Sequence, residues 1–153
     1  MSRENLTSSE KKQLDELLSS AINPKVIHYG SNRTDVARYD KRVNMYGGDG
    51  TVYLLQMFEE NELVNNRIGA YMILPEKGTS AGFHTHGTRG EQEIYVVIAG
   101  KGEYLEKDYR ESDQRSYQIQ PGHLTTIKGD ALHSVTNTSD EPLIIFVITT
   151  NEP

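Results

Sequence analysis

From residue 25 onward, the sequence consists of short runs rich in Tyr, Val, Ile and Thr that are separated by turn residues. This pattern constrains the fold most, because such runs are typical of short β-strands. The predicted strands cover residues 51–58, 67–74, 82–86, 92–99, 103–109, 115–120, 124–127, 133–137 and 143–149. Eight or more short strands broken by glycine-containing turns predict an all-β sandwich or barrel.

The first 24 residues carry a helical pattern instead. Thr7 followed by Glu10 forms a capping box, which is typical of a helix start. Three leucines then fall on one face at helical spacing: Leu14, Leu17 and Leu18. The following Asn-Pro dipeptide ends the helix. We therefore expect a helical extension over residues 1–24, packed on β structure or on a partner subunit, and one β domain over residues 25–153.

The length and charge of the chain limit its partners. A chain of 153 residues fits one domain, and a net charge of -6 disfavours contact with phosphate backbones. No apolar run is long enough to span a bilayer, and the N-terminus lacks the apolar core of a secretory signal. We expect a cytoplasmic protein that binds a small molecule and neither nucleic acid nor membrane.

The chain has no cysteine, so a metal ion would be held by nitrogen and oxygen atoms. His84 and His86 stand two positions apart, and in a strand both side chains would share one face. Glu91 and Glu93 open a strand that is otherwise apolar on both faces, where a carboxylate needs a cation nearby. A lone His-x-His pair would usually be two surface histidines, but here His133 follows on a later strand.

The order of these residues resembles the two motifs of the cupin superfamily. The first motif, G-x5-H-x-H-x(3,4)-E-x6-G, is matched by Gly78, His84, His86, Glu93 and Gly100. The second motif, G-x5-P-x-G-x2-H-x3-N, is matched by Gly122, His133 and Asn137, with Lys128 and Asp130 replacing its proline and second glycine. The resemblance covers roughly residues 69–149. It implies a double-stranded β-helix, the jelly-roll barrel, that holds one divalent metal through His84, His86, Glu93 and His133.

The carboxylate ligand has two candidates, because six residues separate His86 from Glu93 and the family pattern is shorter. Glu91 lies at the family distance from His86 but at the wrong distance from Gly100. We prefer Glu93, since the Gly-Lys-Gly turn at 100–102 fixes the register of its strand, and the two extra residues can bulge within 87–90. Glu91 is the alternative ligand, or an acid that acts beside the metal.

Three imidazoles and one carboxylate suit Fe, Mn, Ni, Co or Zn as a divalent ion. The resemblance implies a metal-dependent enzyme of the isomerase, lyase or dioxygenase type that acts on a small oxygen-rich molecule. Tyr95 or Glu91 would then move protons. The alternative is a non-catalytic cupin that binds a small molecule and has a structural metal or none. By the same resemblance we expect a homodimer.

Other residues receive weaker expectations. Tyr95 and Val135 should line the pocket by alternation from Glu93 and His133. Weaker candidates for the same lining are Tyr53, Tyr71, Met57 and Phe58, and for each aromatic residue ordinary core packing is the favoured role. Arg67 could hold an anion or lie at a solvated strand end. His28 is isolated and His123 lies next to a turn, so we place neither among the ligands.

Overall fold

The computed structural model describes residues 2–65 and 68–152, which form one α-helix and eleven β-strands. The elements are β1 Ser2–Glu4, α1 Ser8–Ala21, β2 Arg38–Val43, β3 Thr51–Gln56, β4 Gly69–Leu74, β5 Ser80–Thr85, β6 Glu91–Ala99, β7 Gly102–Lys107, β8 Arg115–Ile119, β9 Leu124–Ile127, β10 Leu132–Asn137 and β11 Leu143–Asn151. Short 3-10 turns lie at Met45–Gly47, Glu60–Glu62 and Gly87–Arg89. The all-β prediction with one N-terminal helix is confirmed.

The strands form two antiparallel sheets. The seven-stranded sheet has the order β1-β2-β3-β4-β11-β6-β9, and the four-stranded sheet has the order β5-β10-β7-β8. An inner core lies between the sheets, because its buried members come from both of them, including Leu54, Met72 and Val147 from one and Tyr104 and Val135 from the other. Two packed antiparallel sheets of this kind are consistent with a jelly roll.

Burial alternates along β6, the strand that carries most of the predicted acidic and aromatic site residues. Glu91, Glu93, Tyr95 and Val97 are buried, and the residues between them are half-buried. Because successive side chains of a strand point to opposite faces, these four share the inner face of the seven-stranded sheet. The register of β6 therefore brings two carboxylates and one phenol toward the space between the sheets.

The helix α1 covers the outer face of the seven-stranded sheet. The capping box is present: the Thr7 side chain accepts from the Glu10 amide at 3.1 Å, and Glu10 accepts from the Thr7 amide at 2.8 Å. An outer layer of five buried aliphatic residues joins the helix to the sheet: Leu14, Leu18, Leu55, Ile73 and Ile144. Tyr53 and Tyr71 pack against this outer layer, so they take the ordinary packing role and do not line the predicted pocket on the other face of the sheet.

The sequence patterns do not indicate β1 and β2. Both strands are rich in charged residues, so hydrophobic alternation gives no strand signal there. Pairing with β3 nevertheless makes β2 part of the sheet, and β1 pairs with β2 in turn.

The predicted strand at 67–74 begins at Gly69 in the structure, and Arg67 lies outside the described residues. Over the described ranges, no helix has the length and apolar character needed to cross a membrane.

Candidate metal centre

Four residues that are distant in the sequence meet at one point between the sheets. His84 lies near the end of β5, and His133 on β10 is its direct partner in the strand pairing. His86 begins the turn after β5, and Glu93 comes from β6 in the opposite sheet. All four are buried, with exposed fractions between 1% and 7%. The cluster therefore joins the two sheets through polar side chains.

The ligand atoms of the four side chains lie within 4.8 Å of one another. His133 Nε2 lies 3.1 Å from His84 Nε2 and 3.2 Å from His86 Nε2, and Glu93 Oε1 lies 3.2 Å and 3.1 Å from His133 Nε2 and His86 Nε2. Ligands about 2.1 Å from one ion lie about 3.0 Å apart at right angles and about 3.4 Å apart in a tetrahedron. The observed spacings fall between these values, so the cluster has the dimensions of a metal site.

The outer nitrogens of the histidines have partners that bear on their protonation. His84 Nδ1 lies 2.7 Å from the carbonyl oxygen of Gly82, which can only accept, so Nδ1 carries the proton and the Nε2 lone pair faces the cluster. His133 Nδ1 lies 2.9 Å from the Tyr104 hydroxyl. His86 Nδ1 lies 3.5 Å from Glu91 Oε1 and 3.1 Å from Arg89 Nη2, two contacts that suit opposite tautomers. A metal at Nε2 would select the donation to Glu91.

Burial and hydrogen bonding both act on the charge states of His84, His133 and Glu93. Burial lowers the pKa of His84 to about 3, and repulsion by His133 adds to this shift. Burial likewise lowers the pKa of His133. Burial alone would raise the pKa of Glu93, but hydrogen bonds from His133 and His86 outweigh it and hold the pKa below its ordinary range. Neutral imidazoles and an ionised carboxylate are the forms that bind a metal ion.

Glu91 lies beside the cluster and is 2% exposed. Its Oε1 accepts a hydrogen bond from Arg89 Nε at 2.5 Å and lies 3.5 Å from His86 Nδ1. The convergent group contains Glu93 and does not contain Glu91, in agreement with the register argument from the 100–102 turn. The two extra residues of the predicted bulge fall in the turn Gly87–Arg89, which Gly90 closes in the left-handed conformation.

Aromatic rings pack on the histidines. The Tyr46 ring stacks on His84 with centroids 3.9 Å apart, and Tyr95 stacks on His133 at 5.1 Å. Burial raises the pKa of Tyr95 well above its ordinary value, and the Glu93 charge contributes. The sequence interpretation placed Tyr95 in the pocket, as observed, but it did not single out Tyr46 or Tyr104.

The position of Tyr46 depends on unusual backbone geometry. Asn44 and Tyr46 both have positive φ, which is uncommon for residues with a side chain and often marks a functional site. A side chain at Gly82 would clash with the carbonyl oxygen of Tyr46, and one at Gly48 would clash with that of Ser80. Glycine at positions 48 and 82 permits this close approach of the backbone, but the glycines on their own do not identify Tyr46.

A small cavity lies against His84, His86 and Glu93. The space inside it that the centre of a water molecule can reach is about 20 Å³. The sequence interpretation also missed two basic residues in its wall, Arg42 and Arg89. Val135 is fully buried in the inner core and does not line this cavity.

The two remaining histidines lie outside the cluster, as predicted. His28 Nε2 is 3.7 Å from Glu62 Oε1 in a different part of the surface. His123 is exposed, and its Nδ1 faces the backbone amide of Gln120 at 3.4 Å.

The fold and the site together define a class of protein. It is a small β protein with two packed sheets and a buried group of three histidines and one glutamate that could hold a metal ion. The family model for the cupin domain matches residues 70–149, which is more than half of the chain. The chain belongs to the cupin family.

Solved structures agree with this assignment. A predicted oxalate decarboxylase from Thermotoga maritima is 25% identical with a TM-score of 0.65, covering 74% of this chain and 92% of that one. The cupin domain of Cnp3 from Schizosaccharomyces pombe is 8% identical with a TM-score of 0.54, covering 86% and 87%. KdgF from Halomonas is 12% identical with a TM-score of 0.51, covering 66% and 82%. The last two support the fold alone. Among curated proteins, none matches this sequence significantly.

Proposed function

We propose that His84, His86, Glu93 and His133 bind one divalent ion of Fe, Mn, Ni, Co or Zn, and that the chain is a metal-dependent enzyme acting on a small oxygen-rich molecule. One observation carries this proposal: the ligand atoms of the four side chains lie within 4.8 Å of one another, and four of the distances between them are 3.1–3.2 Å. When bound, such an ion supplies Lewis acidity toward a substrate oxygen. Because the protein would supply four ligands, substrate or water could complete the coordination of the ion.

Tyr95 is the proposed proton donor. Its side chain is buried against His133, and its raised pKa keeps the phenol protonated at neutral pH. A protonated phenol beside Glu93 can donate a hydrogen bond to a substrate oxygen. It can also transfer its proton to that oxygen if the resulting phenolate is stabilised. This role fits an isomerase or a lyase, in which a proton moves on the substrate.

Glu91 is the second residue proposed to act beside the metal position, either by positioning His86 or as a catalytic acid. Its carboxylate is held by Arg89 and lies beside His86 Nδ1, where it would orient the imidazole and favour the tautomer that binds metal. A proton-transfer role requires Glu91 to be released from Arg89. We therefore propose orientation of His86 as the main role of Glu91 and proton transfer as the alternative.

The similarity to the Thermotoga maritima protein supports a small oxygen-rich substrate. That protein is described as a predicted oxalate decarboxylase, and decarboxylation is a lyase reaction. We accordingly place the lyase type ahead of the isomerase and dioxygenase types.

A non-catalytic cupin with a structural metal is the second candidate. The observation in its favour is the restricted space at the cluster, where Tyr46 stacks on His84 and the cavity volume is about 20 Å³. A metal bound in so little space could stabilise the two sheets without reaching a substrate.

Metal analysis followed by turnover measurement separates the candidates. Untagged protein purified without chelator is analysed by mass spectrometry for metals, then reconstituted with each of the five ions and tested on small carboxylic and hydroxy acids, with oxygen uptake recorded. The enzyme proposal expects turnover that Tyr95→Phe reduces at least about tenfold with unchanged metal content. Bound metal with no turnover on any substrate supports the structural role. Absence of metal binding overturns both metal-based proposals.

Two further predictions concern the protein as a whole. We propose a homodimer, which light scattering coupled to size exclusion would test as a doubled mass. Residence in the cytoplasm stays a prediction from the sequence, and localisation of the tagged full chain in cells would test it.

A further inference from the structure

Tyr46 forms an aromatic wall of the cavity beside the cluster. Its ring stacks on the His84 imidazole, with the two centroids 3.9 Å apart and the two planes 14° from parallel. Tyr46 lines the same cavity as His84, His86 and Glu93 and is half-buried, whereas these three residues are 7% exposed or less. The ring therefore covers one face of a candidate ligand and separates it from the surface.

The turn that carries Tyr46 is fastened to β5, the strand that carries His84. The Ser80 amide donates a hydrogen bond to the Asp49 carbonyl oxygen, and the Asp49 amide donates one to the Ser80 hydroxyl oxygen, each at 2.8 Å. The backbone of Tyr46 lies so close to Gly82 that a side chain there would clash with the Tyr46 carbonyl oxygen. The ring and the imidazole are thus held in place by the same strand.

The backbone at Tyr46 is strained. Its φ of 52° and ψ of 35° lie in the left-handed region, which a residue with a bulky side chain rarely adopts. Glycine would take this conformation without strain, and the chain has glycine at positions 47, 48 and 50 but not at 46. Strain of this kind persists where the surrounding structure enforces it, and it is concentrated at functional sites. A tyrosine at this position therefore indicates a use for its ring.

We propose that Tyr46 determines which ligands reach the ion at the cluster by limiting their size, a role that rests on the metal site proposed above. The space there that the centre of a water molecule can reach is about 20 Å³, or room for about one or two water molecules. The turn fixes the Tyr46 ring at the side of this space. A linear ligand of few atoms therefore fits, whereas a ring has to displace Tyr46 from His84. The substrate class that follows is a small open-chain molecule, and sugar rings and aromatic rings are excluded.

Azide and imidazole serve as probes, because both bind Co(II) through nitrogen and they differ in bulk. The full chain is loaded with Co(II), and its stoichiometry is measured before and after each titration. The visible Co(II) spectrum and the heat of binding report the coordination of each probe. Tyr46→Ala should bind imidazole at least about tenfold more tightly than the wild type, because no ring has to be displaced from a packed site. Its affinity for azide should change less than about threefold.

Two further variants separate the bulk of Tyr46 from its other properties. Tyr46→Phe keeps the ring and removes only the hydroxyl group, so its imidazole affinity should stay within about threefold of the wild type. Tyr46→Gly removes the ring and also relieves the left-handed backbone, so it should admit imidazole as Tyr46→Ala does. The control is Tyr29→Ala, which removes a ring that is 98% exposed and lies outside the cavity. It should keep the wild-type affinity for both probes.

Stronger binding of imidazole alone in Tyr46→Ala and Tyr46→Gly, and not in Tyr46→Phe, supports size selection by the ring. Equal changes for both probes, or no change, would overturn size selection and leave the metal proposal standing, since Co(II) is then still bound. The same change in Tyr46→Phe would assign the effect to the hydroxyl group and would also overturn it. Failure of the wild type to bind Co(II) would overturn the metal proposal and, with it, the role of Tyr46.

The folding of the variants is part of the test. If Tyr46→Ala does not fold, Tyr46→Gly decides, because it removes the ring without keeping the backbone strain. If neither variant folds, the Tyr46 ring is required for the fold, and its assignment to ligand choice is overturned.

Discussion

The inner core and the outer layer are both buried, yet they are built differently. The outer layer under α1 consists of five buried aliphatic residues within the described part of the chain: Leu14, Leu18, Leu55, Ile73 and Ile144. The inner core adjoins buried histidines, carboxylates and Arg42 at the cluster. A buried aliphatic side chain contributes about 1.5–3 kcal/mol, whereas a buried polar group costs free energy unless it is paired. The outer layer therefore stabilises the fold by apolar burial, whereas the inner core next to the cluster depends on the pairing of its polar side chains.

The largest expected effect tests the outer layer. Leu18 is 1% exposed and packs under the helix, so Leu18→Ala should lower the free energy of unfolding by about 2–5 kcal/mol. Urea denaturation followed by circular dichroism measures the change. Metal stoichiometry should stay at the wild-type value, because the helix lies on the opposite face of the sheet from the cluster. The control Leu17→Ala, at a half-buried position of the same helix, should cost less. Loss of metal in Leu18→Ala would show that the two regions are not independent.

The next effect tests the cluster. His133 Nε2 lies within 3.2 Å of His84, His86 and Glu93, so His133→Ala should weaken metal binding more than about 100-fold, or about 2.7 kcal/mol. Competition with a chromophoric chelator measures the affinity. Adding chelator should lower the melting temperature of the wild type and of Leu18→Ala alike, and should leave that of His133→Ala unchanged. His28→Ala is the control, and equal losses in the two histidine variants would contradict the ligand assignment.

A smaller effect tests how the inner core orients a ligand. The Tyr104 hydroxyl lies 2.9 Å from His133 Nδ1, so Tyr104→Phe should weaken metal binding about tenfold by removing a partner of the imidazole. The unfolding free energy should change much less than in Leu18→Ala, since the ring and its packing remain. Tyr117→Phe is the matched control, because Tyr117 pairs with Tyr104 across the strands and is 49% exposed. Equal affinities in both variants would mean that Tyr104 only packs.

The comparison also explains what the sequence could predict. The residues of α1 follow a helical period with a capping box, so local patterns suffice for the helix of the outer layer. The cluster was predictable because its residues follow a known motif order, and because the turn at 100–102 sets the register that brings Glu93 inward. Arg42 and Tyr46 follow no such pattern. Arg42 lies on a charged strand that only long-range pairing with β3 defines, and Tyr46 reaches His84 through a turn with positive φ.

The smallest expected effect returns to the helix under which the outer layer lies. The Thr7 side chain accepts a hydrogen bond from the Glu10 amide, so Thr7→Ala should lower the free energy of unfolding by about 1 kcal/mol. Ser9→Ala, an exposed substitution in the same turn, should have a smaller effect. Urea denaturation of both variants, each with and without metal, gives four free energies of unfolding to compare. The loss should be the same in both states, because a cap stabilises only the helix and the outer layer that it anchors. A larger loss in the metal-bound protein would mean that the helix and the cluster are energetically coupled through the sheet between them.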